Sequence, residues 1–206
     1  MSIKLREGPI SDRFHHLHNV ISSPRFLKME GLGNEIPFFI CAYKPEESQE
    51  IQPMIGQLAN RLAEKGVTAL VIDLYDLSIE LLEKRNILES VLTLETEISK
   101  SELKELLQGV LDPEKHLAPA IAEKMAQQMS QQPFHVLFLT GVGEIYPFIR
   151  SHNILNNLQS TAKEQPTLMF YPGDYIQTNE SGASLDLFGR LHDDKYYRAF
   201  DIFEIE

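Results

Sequence analysis

The chain has 206 residues, 43% of them hydrophobic and 24% charged, which is enough for one domain with a buried core and unlike a disordered or fibrous composition. Nineteen Lys and Arg against thirty Asp and Glu leave a net charge of -11, which repels phosphate backbones and argues against direct binding of nucleic acid or a membrane surface. The single Cys41 excludes a disulfide framework and a Cys-based metal site, and no apolar run approaches the roughly 20 residues of a membrane span, so the expected setting is a reducing cytoplasm.

Residues 12–30 place apolar side chains at mixed spacing around Ser22, Ser23 and Pro24, which predicts two short helical pieces joined by a turn, an appendage within residues 1–35. IPFFICAY (36–43) is apolar and aromatic throughout and is closed by Lys44-Pro45, the pattern of a strand covered on both faces. From Pro45 to Lys65, Ile51, Ile55, Leu58 and Leu62 recur at three- and four-residue steps, with acidic residues at the start and Lys65-Gly66 at the end, so a helix follows. VTALVIDLY (67–75) is a second buried strand, which makes the unit β-α-β and the sheet parallel. Between 76 and 132 the spacing predicts a helical insertion of three helices, at 77–88, 99–110 and 119–131. FHVLFLTGV (134–142) is the third strand, 144–162 a short helical stretch and TLMFYPG (167–173) the fourth strand. The segments 184–189 and 196–205 read as extended, a hairpin at one sheet edge. The fold class is α/β, a mostly parallel central sheet flanked by helices in one domain over 1–206.

Ligands in open parallel sheets lie beyond the carboxyl ends of the strands, which here gathers Tyr43, Asp73, Asp76, Thr140, Gly141, Gly143, Pro172, Gly173 and Asp174. The glycine stretch reads Gly141-Val142-Gly143-Glu144-Ile145-Tyr146. Its third glycine is missing and Glu144 puts negative charge where a pyrophosphate would sit, so the dinucleotide fingerprint fails. No GxxxxGK followed by Ser or Thr occurs, which excludes an ordinary P-loop ATPase and leaves a tight turn as the preferred account of the glycines. Asp73 ends an apolar strand as a magnesium-holding Asp does, but with no phosphate loop beside it the expected role is to cap the next helix. His15, His16 and His18 lack a second patch of ligands and read as a surface helix. His192, Asp193 and Asp194 are flanked by Arg190, Lys195 and Arg198, which are expected to pair with the acids. No nucleophile elbow accompanies any serine. From the residues alone, no catalytic group, cofactor or metal is assigned.

Four stretches carry a resemblance: GLGNEIPFFICAY (31–43), FLTGVGEIYPFIRSHNILNNLQ (138–159), PTLMFYPGDY (166–175) and SLDLFGRLHDDKYYRAFDI (184–202). In these the chain resembles the BrxB family, the small protein of BREX bacteriophage-exclusion operons. The resemblance implies a layout similar to P-loop-type α/β domains without the ATP-binding motif. It also implies a role in defence against phage, beside a DNA methyltransferase, large ATPases and PglZ, an alkaline-phosphatase-like protein. It supplies no catalytic residues. The expected function is an interaction or scaffold module docking on a larger BREX protein, PglZ-like by preference, with Arg150, Arg190, Tyr196 and Tyr197 as candidate anchors. The competing readings are a degenerate nucleotide sensor at Gly141 and Gly143, and a nuclease accessory using Asp73, Asp76 and His192–Asp194 around a metal.

Overall fold

Phe38, Ile40 and Ala42 of β1 (Phe38–Tyr43) point to one face of a sheet while Phe39, Cys41 and Tyr43 point to the other, and all six are buried. A computed structural model describes residues 5–31, 37–178, 182–192 and 199–205 of the chain. Around β1 lie β2 (Ala69–Asp73), β3 (Val136–Thr140), the first half of β4 (Thr167–Thr178) and the short β7 (Phe200–Asp201). They run parallel in the order β2-β3-β4-β1-β7. Central strands of this kind alternate their side chains between two apolar layers, which is why they read as unbroken hydrophobic runs.

One layer holds α1 (Ile10–Ile21), the single turn α2 (Pro24–Leu27) and α3 (Ser48–Glu64), whose Leu17, Ile21, Phe26, Leu58 and Leu62 pack on Phe39, Phe138 and Phe170. The other holds α4 (Leu74–Lys84), α5 (Leu88–Glu95), α6 (Lys100–Val110), α7 (Ala118–Gln131) and α8 (Ser151–Leu158). The path from β1 crosses by α3 on the first face to β2 at the far edge, then returns by β3 and β4 with its helices on the second face. Connections therefore diverge between β1 and β4, the position at which open α/β sheets form a crevice.

Four sequence expectations change. The strand expected to be buried at 67–75 is the sheet edge: β2 buries only Ile72 and leaves Val71 42% exposed, because no strand pairs with its outer side among the described residues. The insertion has four helices, because Leu88–Glu95 forms one of its own; it lacks a capping side chain and buries only Val91, so its periodicity was too weak to register. The glycines after β3 do not lead into a helix. Residues 142–148 form turns and α8 begins only at Ser151, after a cis Tyr146-Pro147 bond. Among the described residues the late segments do not pair with each other. Instead β5 (Gly182–Leu187) pairs antiparallel with the outer half of β4 and makes a hairpin with β6 (Leu191–His192), while Phe200–Asp201 adds a parallel strand beside β1. Among the described residues no helix is long and apolar enough to cross a membrane.

Candidate functional site

The parallel strands bring most of the expected residues to one end of the sheet, where several are engaged by the fold. Asp73 ends β2 with extended backbone and caps α4: its carboxylate accepts from the backbone N–H of Tyr75 at 2.9 Å and of Asp76 at 3.1 Å. A third donor, the Thr140 hydroxyl at the end of β3, reaches its other oxygen at 2.8 Å. Gly141 follows with φ +74, and a Cβ there would lie 2.6 Å from Asp73 Oδ1. The glycine is thus required by a positive φ and by the carboxylate pressed against it. Gly143 brings the turn against Pro172 and the Phe188 ring, 3.0 and 3.2 Å from where a Cβ would stand. Asp76 is exposed on the first turn of α4.

The loop after β1 is closed in the same way. Glu47, in the turn Pro45–Glu47, accepts from the Lys44 backbone N–H at 3.1 Å and takes both terminal nitrogens of Arg13 at 2.8 and 2.7 Å. Arg13 comes from the buried face of α1, with its side chain only 3% exposed. Forked, charge-assisted pairing of this kind fixes α1 on the start of α3. The α3 N-terminus, which in a nucleotide-binding domain would face a phosphate, is surrounded by Glu46, Glu47 and Glu50.

Between the ends of β1 and β4, Tyr43, Lys44, Gly173, Asp174, Arg6 and Glu7 line a crevice of about 210 Å³. Arg6 is committed there, donating to the Tyr175 carbonyl at 3.1 Å and lying 3.5 Å from Asp174 and 3.7 Å from Asp201. Burial pushes the Tyr43 phenol up to about 12 and raises the Cys41 thiol further, so both stay protonated near neutral pH and neither is a ready nucleophile. Burial also raises the Asp201 carboxyl. Among the described residues no three His, Cys, Asp or Glu side chains cluster as a metal ion would require.

The remaining sequence candidates are dispersed. His15 is exposed on α1, and His16 Nε2 donates to the Ile202 carbonyl at 3.0 Å and stacks on Phe203. Arg150 is exposed just before α8, and Arg190 is exposed in the β5–β6 turn. Tyr196 and Tyr197 lie outside the described residues, as do Asp193, Asp194, Lys195 and Arg198. Sequence reasoning missed Arg13 and Glu47. A signal was present: Arg13 falls on the apolar stripe of Ile10, Leu17, Val20 and Ile21, where a cation needs a partner.

That pair gives a pH-dependent expectation. Hydrogen bonding to Arg13 holds the Glu47 carboxyl below its ordinary value of 4.5, so its contribution to stability is complete above about pH 4.5 and is lost as pH falls through the lower folded-state value. Arg13→Ala should cost about 2–3 kcal/mol at pH 7, less than a dry pair because the Glu47 side chain is 25% exposed. Urea unfolding at pH 7 and pH 3.5 should show the gap between variant and parent narrowing in acid; an unchanged gap would assign the loss to packing alone.

Fold and site together define an α/β protein whose strand-end polar groups are bound into its own turns and helix caps. A family model described as "BREX protein BrxB" matches residues 70–202. The chain is 33% identical over 198 residues to "BREX protein BrxB" of Bacillus cereus (strain H3081.97), covering 95% of this chain and 98% of that protein. It is 32% identical over 188 residues to the protein of the same description from Escherichia coli O9:H4 (strain HS), covering 91% of this chain and 88% of the relative. No solved structure matches. The chain belongs to the BrxB family.

Proposed function

We propose that this chain is a non-catalytic component of a BREX phage-defence system: a single domain over 1–206 that acts as an interaction or scaffold module on a larger BREX protein, with a PglZ-like protein as the preferred partner. Membership of the BrxB family supports the BREX context. The observation that carries the non-catalytic reading is the commitment of Asp73 and Glu47. Of the carboxylates at this end of the sheet, these two spend lone pairs on Tyr75, Asp76 and Thr140 and on Lys44 and Arg13, and Asp174 lies 3.5 Å from Arg6. The strand order, with β1 between β4 and β7, supports a P-loop-type layout in which the Arg13–Glu47 clasp occupies the phosphate loop's place. Such a domain contributes by binding, and its net charge of -11 favours rapid encounter with a basic surface. Arg150, Arg190, Tyr196 and Tyr197 stay candidate anchors on this reading.

Two measurements test it. With millimolar ATP and magnesium the melting temperature should move by less than about 1 °C, since a ligand bound to the native state would raise it. From cells carrying the whole operon, the tagged chain should bring down the PglZ-like protein in stoichiometric amount. A clear ATP-dependent shift, or no BREX protein retained, would count against the reading.

A further inference from the structure

Helices α4, α5 and α6 and the turn at Ile145–Phe148 enclose an apolar groove of about 190 Å³ that the strand-end site does not use. Ile79, Leu103, Ile145 and Phe148 form its floor and walls, while Tyr75 and Leu92, 48% and 49% exposed, stand at its mouth. Its shape is held from both sides: Gln108 Nε2 donates to the Pro147 carbonyl at 3.2 Å, and the Arg85 guanidinium donates to the Val110 carbonyl. The volume is below the range of pockets that hold drug-sized ligands or cofactors, and suits two or three apolar side chains presented by another surface. The walls are helices and a turn, so a docked segment has to satisfy its own backbone groups, as a helix does.

The groove's charge identifies the occupant further. Glu95 and Glu144 are exposed at its lip, and neither is ion-paired among the described residues. Residues 73–110 carry nine carboxylates against four basic side chains, and a second copy of so acidic a surface would be repelled. We propose that this groove receives an amphipathic helix of a partner protein, its apolar face seated on Tyr75, Leu92 and Phe148 and flanked by Lys and Arg that meet Glu95 and Glu144. The proposal rests on the interaction-module reading and gives that reading a surface and a partner chemistry.

Leu92→Asp tests it, because Leu92 is exposed and its loss should leave the melting temperature within about 2 °C. The first probe is a labelled 18-residue helical peptide with a leucine face flanked by lysines, alongside the same peptide with glutamates for lysines. The lysine peptide should bind saturably with Kd on the order of 10–100 μM, and both the glutamate peptide and the Leu92→Asp variant should weaken binding by about tenfold or more. The second is co-purification from the operon, in which Leu92→Asp should lose the partner that the parent chain retains. Peptide binding indifferent to charge and to Leu92, or a BREX complex that survives Leu92→Asp, would overturn the groove assignment. A parent chain that sediments as a dimer and a variant that sediments as a monomer would do the same. A parent chain retaining no BREX protein would instead refute the module reading, with the peptide titration still deciding the groove.

Discussion

Gly173→Ala is expected to leave almost no soluble, folded protein. Gly173 is the point where β4 stops pairing with the parallel sheet and begins its antiparallel pairing with β5, opposite Leu187. A Cβ at this position would lie 2.2 Å from the Asp186 carbonyl oxygen and 3.0 Å from the Phe188 backbone nitrogen. Both are backbone atoms, one in β5 and one in the turn that follows it, so no rotamer change relieves the collision; β5 has to separate from β4, taking with it the Phe188 N–H bond to the Pro172 carbonyl. Overpacking against backbone of this kind should cost about 4 kcal/mol or more, a large share of the roughly 5–15 kcal/mol that holds a domain together. Gly56→Ala is the control: Gly56 is exposed within α3, and nothing stands within 4 Å of its would-be Cβ. That variant should be more stable than the parent by about 0.5–1 kcal/mol. Comparable yields and melting temperatures for the two variants would contradict the close approach at Gly173.

The second large effect is at the Asp73–Gly141 contact. Gly141→Ala adds a side chain at φ +74 and drives it against both carboxylate oxygens of Asp73, 2.6 and 2.8 Å away. The conformational penalty is about 1–2 kcal/mol. Displacing the carboxylate should add about 1–2 kcal/mol more for the lost α4 cap. The total of about 3 kcal/mol corresponds to a fall in melting temperature of roughly 6–12 °C for a chain of this length. Asp73→Ala alone should cost about 1–2 kcal/mol. The two should not add: with the carboxylate gone, Gly141→Ala should cost only its conformational penalty. Four urea titrations measure the cycle, and strict additivity would show that the carboxylate does not press on Gly141.

Much of this was legible in the sequence for a physical reason. FFICAY and VLFLT are buried on both faces, so their composition reveals them without reference to their neighbours. The Asp73 cap was legible because a strand-end Asp before a helical period has one common use. Elements whose position depends on distant partners were not. Phe200–Asp201 is a two-residue strand whose place beside β1 is decided by tertiary packing of Ile202 and Phe203, and no local pattern separates it from a hairpin arm. The groove left a faint trace: Leu88, Val91, Leu92 and Leu94 give α5 more apolar surface than one stripe needs, and Leu92 is the part left exposed.

On the proposed function, the chain works by binding a larger BREX protein. Its most direct test is calorimetric titration of the purified chain into the purified PglZ-like protein of the same operon. A saturable one-to-one complex with Kd on the order of 1 μM or tighter is expected, with no ATP or DNA turnover by the chain alone. No binding to that protein or to any other product of the operon, together with turnover by the isolated chain, would contradict it.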